Sequence, residues 1–361
     1  MARKPEGALR KGWTTGACAA AAARAAFQAL LTGAFPDPVT IRLPRGEMPS
    51  FPLARHCVDG TSAEAGIIKD AGDDPDVTHG ALILARVSAG PSGRGIAFHA
   101  GDGVGTVTRP GLALAVGEPA INPAPRQMIR EALHDVAECC GADCDVDVTI
   151  SIPGGKDMAS RTMNERLGIV GGLSILGTTG VVIPYSCASW IHSIQRGIDV
   201  ARAAGLVHVA ASTGRTSETA VQRLYALPEH ALIDMGDFVG AMLKYLRKNP
   251  VPRLTIAGGF AKLSKLANGH LDLHSSRSPV ESAPLAELLA ALGADSALVA
   301  SARHQPSAAE VLRQSGDRRS ELVEAVARRA REVALATLSS DVDVEVLVVD
   351  RDGAILGRAG H

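Results

Sequence analysis

Alternating and helix-spaced apolar positions in the first part of the chain predict a mixture of helices and strands. An alanine-rich run over 17–31 follows Thr14 and stops before Gly33, so we expect a helix that a threonine caps. Further patterns predict a helix over 125–140 and strands at 39–43, 81–87, 95–98 and 146–152. Since strands and helices do not alternate strictly, these elements indicate an α+β domain with Gly-rich loops over 1–155.

In the second part of the chain, the pattern changes to repeated strand–turn–helix units. Apolar runs at 206–211, 231–234 and 254–257 each precede a turn and an amphipathic segment. Three such units predict a short parallel sheet with right-handed crossovers. Helices near 284–292 and 321–338 and a hairpin over 344–356 complete an α/β domain over 156–361. We therefore predict an α+β protein in which an α+β domain precedes an α/β domain.

One uncharged stretch, from Leu167 to Gln195, is long enough to span a bilayer. Several glycines and Pro184 interrupt it, and a lipid-exposed helix broken in this way would leave backbone groups unpaired. We therefore expect buried strand and loop within a soluble protein, and no membrane partner.

Composition and charge narrow the choice of partners and compartment. The 37 Lys and Arg residues against 38 Asp and Glu leave a net charge of −1, which argues against a nucleic-acid binder with a basic face. Aromatic residues make up 3% of the chain, too few for the stacking platforms that bind RNA. The six cysteines form no CxxC pair and the chain begins without a signal peptide, so we expect a cytoplasmic protein.

Three glycine-rich segments are candidates for ligand binding. The segment 12–18 opens the first predicted helix, so its N–H groups suit a carboxylate or phosphate, or it is an ordinary capped helix start. The segment 101–108 allows close approach to a ligand, although a tight turn explains its glycines as well. The segment 171–180 either walls a pocket for a large planar ligand or allows close packing of elements.

The carboxyl ends of the predicted parallel strands form a fourth candidate site, because ligands bind there in open α/β sheets. Acidic side chains at such an edge can hold a ribose, and basic ones can hold carboxylates. A solvated helix face is the alternative for the two lysines. The residues expected at this edge are Ser212, Thr213, Gly214, Arg215, Thr216, Glu218, Asp237, Gly258, Lys262 and Lys265.

A fifth candidate is the polar segment 269–277. His270, Asp272 and His274 alternate along it and could ligate a metal, but no fourth ligand is evident, so no protein-bound metal is expected. A polar loop that reaches a substrate is the preferred interpretation, with His274 as an acid or base near neutral pH.

Seven long segments, in register, resemble one family. They are LRKGWTTGACAAAAARAA (9–26), EAGIIKDAGDDPDVTHGA (64–81), GDGVGTVTRPGLALAVGEPAINPAPRQMI (101–129), LGIVGGLSILGTTGVVIPYS (167–186), STGRTSE (212–218), GDFVG (236–240) and AGGFAKLSKLANGHLDLHSSRS (257–278). Together they resemble the CbiD family from about residue 9 to about residue 280, and the segment 305–319 matches least well.

The resemblance implies a C-methyltransferase of cobalamin biosynthesis. It implies methyl transfer from S-adenosylmethionine to ring carbon C1 of cobalt-precorrin-5B, which gives cobalt-precorrin-6A, with cobalt as part of the substrate. It also implies a fold unlike the usual Rossmann methyltransferase, whose glycine fingerprint is missing here. A non-enzymatic corrinoid-binding scaffold and a small-molecule kinase that uses 101–108 for phosphate are the alternatives.

This chemistry assigns expected roles to the candidate residues. The corrinoid carries acetate and propionate groups, so distributed binding sites are expected at Thr14, Thr15, Gly16, Gly103, Gly105, Thr106, Arg109, Arg166, Gly177, Thr178, Thr179, Lys262 and Lys265. The adenosyl donor is expected at Thr213, Gly214, Arg215, Glu218 and Asp237. His274 and Asp102 are the candidates for a general base. The tail after residue 300 is expected to be a solvated cover or a dimer contact, and transient contacts with other cobalamin-pathway enzymes are further expected partners.

Overall fold

The computed structural model describes residues 7–275, 277–278, 281–339 and 341–360. It contains two compact units, Met1–Cys187 and Ala188–His361, which we call the N-terminal and C-terminal units. The predicted boundary between 155 and 156 therefore lies about thirty residues too early. The reason is strand pairing, because two short strands within 169–182 pair with strands of the N-terminal unit.

The N-terminal unit combines short strands with two long helices. Its elements are β1 (Gly12–Trp13), α1 (Thr15–Thr32), β2 (Val39–Thr40), β3 (Ser50–Phe51), β4 (Arg55–Asp59), β5 (Ser62–Ile68), β6 (Leu82–Ala89), β7 (Ile96–Ala100), β8 (Thr106–Val107), α2 (Pro123–Cys140), β9 (Val146–Ser151), α3 (Gly155–Ala159), β10 (Ile169–Val170) and β11 (Val181–Val182). The two predicted helices and three of the four predicted strands are confirmed. The fourth, at 39–43, is regular only over its first two residues.

The main sheet of this unit has the order β4-β5-β6-β9-β7, and only the β7–β9 pair is parallel. The alanines of α1 are almost all fully buried, because their small side chains allow the helix to pack closely on β5, β6 and α2. Thr14 caps the helix by accepting a hydrogen bond from the Ala17 N–H, and Gly33 ends it in the left-handed conformation.

The C-terminal unit contains the predicted strand–helix succession. Its elements are α4 (Cys187–Ala203), β12 (His208–Ser212), α5 (Arg215–Tyr225), β13 (Leu232–Asp234), α6 (Val239–Lys248), β14 (Arg253–Gly259), α7 (Phe260–Ala267), α8 (Ser282–Ala291), α9 (Ser296–Arg303), α10 (Ala308–Gln314), α11 (Arg319–Leu338), β15 (Asp343–Val349) and β16 (Ile355–Ala359). The three predicted strand–turn–helix units and the C-terminal hairpin are confirmed.

The sheet of this unit has the order β13-β12-β14-β15-β16. The first four strands are parallel and β16 is antiparallel to β15. Alternate residues of β12 to β15 lie on one face of the sheet, and they form the large core with side chains of α4, α6, α7 and α11. The apolar strand residues on the opposite face pack with Val221 of α5 in a smaller cluster. The prediction of an α/β half with a parallel sheet is therefore confirmed.

The uncharged stretch 167–195 folds as two short strands, connecting loops and the start of α4. Its predicted burial is only partial, since Val170, Leu176 and Ile183 are each more than half exposed. Within the described residues, no helix has both the length and the apolar character needed to cross a membrane.

Candidate active site

The carboxyl ends of the parallel strands in the C-terminal unit border a cavity of about 630 Å³. From β12 the chain moves outward to β13 and then returns to β14 on the other side of β12. Loops that leave two such strands diverge, and ligands of open α/β sheets bind in the crevice between them. We call this the switch-point cavity. It is lined by residues 213–217, 259–262, Ala309, Leu312, Arg313, Arg319, 349–352 and Leu356.

Two strand-end loops build the centre of this cavity. Thr213, Gly214 and Arg215 follow β12, and Lys262 lies in the first turn of α7 after β14. Gly258 lets these loops approach, because a Cβ atom there would lie only 2.9 Å from the Thr213 hydroxyl. The structure thus brings together four residues that the sequence predicted at this edge. Their roles with a ligand stay predictions.

Lys262 connects the cavity to a residue behind it. Its Nζ donates to the Thr213 carbonyl at 3.1 Å and lies 3.1 Å from Asp237 Oδ1. The alternative of a purely solvated lysine is therefore wrong for Lys262. Neither Asp237 nor Glu218 lines the cavity, although both were predicted to contact the donor. Asp237 lies behind Lys262, and Glu218 lies further along α5, where its N–H donates to the Gly214 carbonyl.

Lys265 has a structural position instead of the predicted substrate contact. Its side chain is only 5% exposed, and its Nζ donates to the Leu273 carbonyl at 2.8 Å. Burial lowers the pKa of this ammonium, and the nearby Asp237 carboxylate partly opposes that effect. Lys265 therefore anchors the loop after α7 and is not accessible to a carboxylate of a large ligand.

The loop after α7 places His274 at the surface. The His274 N–H donates to Asp272 Oδ1 at 3.0 Å, and Asp272 also pairs with Arg277 at 2.6 Å. Burial favours the neutral acid, but the Arg277 and His274 hydrogen bonds outweigh it and hold the pKa of Asp272 below its usual value. Across the described ranges, no three His, Cys, Asp or Glu side chains form a group that could hold a metal.

The start of α1 is not the open anion site that its sequence suggested. Thr14 and Thr15 are 6% and 3% exposed, and the loop 171–180 covers them. The Gly16 N–H donates to the Leu176 carbonyl at 3.1 Å, and the Thr14 N–H donates to the Gly180 carbonyl at 2.9 Å. Protein carbonyls therefore occupy donors that were expected to bind substrate, so the capped-helix alternative describes Thr14, Thr15 and Gly16.

Gly177 belongs to the same packed contact. A Cβ atom at Gly177 would overlap the Thr14 side chain, so glycine is needed for this approach. Thr179 bonds through its hydroxyl to the backbone of Val181, whereas Thr178 is exposed. Of the three predicted residues, Gly177, Thr178 and Thr179, only Thr178 therefore has an exposed side chain that a ligand can reach.

The segment 101–108 is a close-packed turn. Gly103 has a positive φ of 72° and its carbonyl accepts a hydrogen bond from the Leu173 N–H at 2.9 Å. A Cβ atom there would overlap the Ile152 carbonyl, and one at Gly105 would lie 2.6 Å from the Ile169 side chain. The tight-turn alternative therefore describes Gly103 and Gly105, and Thr106 pairs with Val170 as part of β8.

Two predicted polar residues of this region remain accessible. Asp102 is exposed at the turn, where its carbonyl accepts a hydrogen bond from the Ile152 N–H. Arg109 is half-buried, its stem lies against Gly168, and its guanidinium donates to the Arg166 carbonyl at 3.3 Å. Their accessibility leaves the predicted roles of Asp102 and Arg109 open to test.

Sequence reasoning missed the residues that the tail adds to the switch-point cavity. Arg313 lies on α10, Arg319 starts α11, and Asp350, Arg351 and Asp352 belong to the β15–β16 turn. The tail was expected to be a solvated cover or a dimer contact; these arginines are solvent-exposed and also line the cavity, and the dimer contact stays a prediction. The sequence did predict the hairpin turn that carries three of these residues. It did not predict that the hairpin lies beside β14, because this depends on the pairing of β15 with β14.

Comparison with known proteins identifies the family. Residues 2–184 match the family model of CbiD, and residues 272–360 match that of the CbiD C-terminal domain. A relative from Paramagnetospirillum magneticum, named cobalt-precorrin-5B C(1)-methyltransferase, is 60% identical over 98% of this chain and 99% of its own. A relative of the same name from Methylorubrum extorquens is 57% identical over 97% of each chain. The crystal structure of the cobalamin biosynthesis protein CbiD from Archaeoglobus fulgidus matches with a TM-score of 0.41 and 28% identity, covering 75% of this chain and 84% of that one. The chain belongs to the CbiD family.

Proposed function

We propose that this chain methylates C1 of cobalt-precorrin-5B with S-adenosylmethionine as donor and gives cobalt-precorrin-6A in cobalamin biosynthesis. The supporting comparison is the match to C(1)-methyltransferases at 57% to 60% identity over nearly the whole chain. The structural observation that supports it is the switch-point cavity, whose volume of about 630 Å³ lies within the usual range for small-molecule sites.

The donor is proposed to bind in the switch-point cavity, at Thr213, Gly214 and Arg215. The guanidinium of Arg215 can pair with the methionine carboxylate, and the backbone of Gly214 permits close approach of the ligand. Asp237 acts indirectly in this proposal, since its carboxylate holds Lys262 at the wall. Glu218 is retained only as a neighbour of this site on α5.

The corrinoid is proposed to use accessible polar residues for its carboxylate fringe. Arg109, Arg166 and Thr178, all in the N-terminal unit, are the candidates, and the expected substrate contact of Lys262 stays a prediction from the sequence. Arginine suits carboxylates because its planar fork can donate two parallel hydrogen bonds. The exposed apolar side chains within 167–195 suit the flat face of a macrocycle.

The reaction needs alignment more than acid–base chemistry. C1 attacks the methyl carbon in line with the sulfur, a C–C bond forms, the C–S bond breaks, and sulfur keeps the electron pair as a neutral thioether. Holding the two reactants in this geometry can lower the barrier by up to about 7–11 kcal/mol. A general base that removes a ring proton would add about 10²–10⁴-fold, with His274 and Asp102 as the candidates.

The test is anaerobic incubation of the protein with cobalt-precorrin-5B and methyl-labelled S-adenosylmethionine, followed by mass spectrometry and NMR of the corrinoid. We expect one labelled methyl group at C1. Tight corrinoid binding without methylation would instead support the scaffold alternative. The variants His274→Gln and Asp102→Asn test the general base, and His270→Gln in the same loop as His274 is the matched control.

The proposed setting is the reducing cytoplasm, since all six cysteines have free thiols. Homo-oligomerisation and transient contacts with other cobalamin-pathway enzymes remain part of the proposal. Size-exclusion chromatography with light scattering, alone and with those enzymes, measures both.

A further inference from the structure

Three arginines at the switch-point cavity have no hydrogen-bond or ion-pair partner within the part of the chain that the structure describes. They are Arg215, Arg319 and Arg351. The other two cations of the lining are already paired. Arg313 Nε donates to Glu310 Oε2 at 2.9 Å, and Lys262 lies 3.1 Å from Asp237 Oδ1. The unpaired positive charge of the cavity therefore belongs to these three arginines.

Two of the three stand where the helix itself disfavours a cation. Arg215 is the first residue of α5 and Arg319 is the first residue of α11. The positive end of the helix dipole repels a guanidinium at that position, and an anion bound there would reverse the effect. The neighbouring Arg318 differs, because Glu321 pairs with it at 2.8 Å and it does not line the cavity.

Two acidic residues of the rim, Asp350 and Asp352, offset part of this charge. Asp350 accepts hydrogen bonds from the N–H groups of Asp352 and Ala354 at 2.9 and 2.8 Å, so its carboxylate stabilises the β15–β16 turn. The three unpaired arginines still outnumber these two carboxylates by one, so the lining suits a ligand that carries an anionic group. The cavity volume of about 630 Å³ lies in the range of sites that bind small molecules such as an adenosyl amino acid.

We infer that Arg319 binds the methionine carboxylate of the donor together with Arg215. This rests on the proposed function, which places S-adenosylmethionine in the same cavity. The carboxylate is the one anionic group of that donor, and two guanidinium groups can hold both of its oxygens. The C-terminal region thus supplies a specificity-determining residue that distinguishes an adenosyl amino acid from an adenosyl thioether without the amino acid.

The experiment compares two ligands by isothermal titration calorimetry. S-adenosylhomocysteine carries the carboxylate, and 5′-methylthioadenosine has the same adenosyl thioether without it. We expect Arg319→Gln to lower the affinity for S-adenosylhomocysteine by about 10- to 100-fold. The affinity for methylthioadenosine should not change, because only S-adenosylhomocysteine loses a charge-assisted contact. Arg318→Gln is the matched control and should change neither affinity.

Catalysis provides a second readout. Arg319→Gln should raise the KM for S-adenosylmethionine by a similar factor with little change in kcat, and Arg319→Lys should recover part of the loss because it keeps the charge. A structural role for Arg319 would weaken both adenosyl ligands equally, and that result overturns the inference. So does an unchanged affinity for S-adenosylhomocysteine, with or without a raised KM for the corrinoid. If the unmodified protein does not bind S-adenosylhomocysteine, the placement of the donor in the proposed function fails first.

Discussion

At the scale of single residues, Glu345 shows how the sheet holds a helix of the cavity in place. This carboxylate on β15 is fully buried and accepts hydrogen bonds from the Tyr225 hydroxyl at 2.7 and 2.8 Å and from the Thr255 hydroxyl at 3.0 Å. A buried carboxylate is costly unless its oxygens are hydrogen-bonded. Tyr225 is the last residue of α5, so this bond fastens the helix whose first residue lines the switch-point cavity.

Replacing Tyr225 with phenylalanine is expected to destabilise the C-terminal unit. The variant removes the Tyr225 donor from Glu345 Oε1, while Thr255 still donates to Oε2, and a hydrogen bond to a charged group contributes about 1.5–3 kcal/mol. Urea unfolding at pH 7 measures the loss in the free energy of unfolding. Tyr245→Phe is the matched control with a smaller expected loss, since Asp199 keeps Arg196 at 3.0 Å after its tyrosine partner is removed.

The same pair predicts an alkaline pH dependence. Burial, and then the hydrogen bond to Glu345, raise the pKa of Tyr225 to about 12, above the value of about 10 expected in the unfolded chain. The contribution of Tyr225 is therefore complete below pH 10 and is lost as the pH rises towards 12. The stability difference between the unmodified protein and Tyr225→Phe should shrink over that interval. A difference that stays constant to pH 12 would contradict the assignment.

At the scale of elements, close backbone contacts hold the glycine-rich loops of the N-terminal unit together. The backbone of Gly103 lies against Gly155, the first residue of α3, and against Gly172, which follows β10. A Cβ atom at any of the three would meet backbone atoms of another segment. These glycines therefore allow close contact between elements, which is enough to explain their pattern in the sequence.

Gly103→Ala should destabilise the N-terminal unit more than Gly117→Ala. Both glycines have a positive φ, 72° and 90°, so both variants carry the same kind of backbone strain. Only Gly103 has neighbours within reach of a new methyl group, whereas the space around Gly117 is open. Overpacking of this kind costs about 1–3 kcal/mol. Urea unfolding followed by Trp13 fluorescence measures the difference, and equal losses in the two variants would refute the contact.

At the scale of the whole molecule, each of the two units has its own hydrophobic core. One core lies between helices α1 and α2 and the sheet β4-β5-β6-β9-β7. The other lies between the parallel sheet and helices α4, α6, α7 and α11. The two tryptophans of the chain, Trp13 and Trp190, divide between them. A chain with two cores need not unfold in a single step.

Single-tryptophan variants can therefore follow each unit separately. We expect Trp13→Phe and Trp190→Phe to report urea transitions with different midpoints. S-adenosylhomocysteine at 100 times its Kd should stabilise the transition reported by Trp190 by about 2.7 kcal/mol, because ligand binding to the folded state adds directly to its stability. The transition reported by Trp13 should not move. A shift of the Trp13 transition alone would place the donor outside the C-terminal unit.

Local patterns determined the elements whose causes are local. Helix α1 was predictable because its cap, its alanine-rich run and Gly33 lie next to each other in sequence. The strand–turn–helix units of the C-terminal unit were predictable for the same reason, and so was the edge that carries Thr213, Gly214 and Arg215. Strand β4 escaped prediction because all its residues are exposed, so no apolar alternation marks it. The similarity to the CbiD family was likewise readable, since whole segments matched in register.

The tertiary structure decided whatever depends on pairing between distant segments. Strand β9 separates β6 from β7, although a turn joins those two strands in sequence. The N–H groups at the start of α1 meet carbonyls of Leu176 and Gly180, more than a hundred residues away, which closes a site that appeared open from the sequence. Arg319 reaches the switch-point cavity because α11 packs on α7, the helix whose first turn carries Lys262. The sequence shows which hydrogen-bond donors and charges are present, but long-range packing determines their partners. For this reason the N–H groups at the start of α1 are already bonded, whereas Arg319 is available to a ligand.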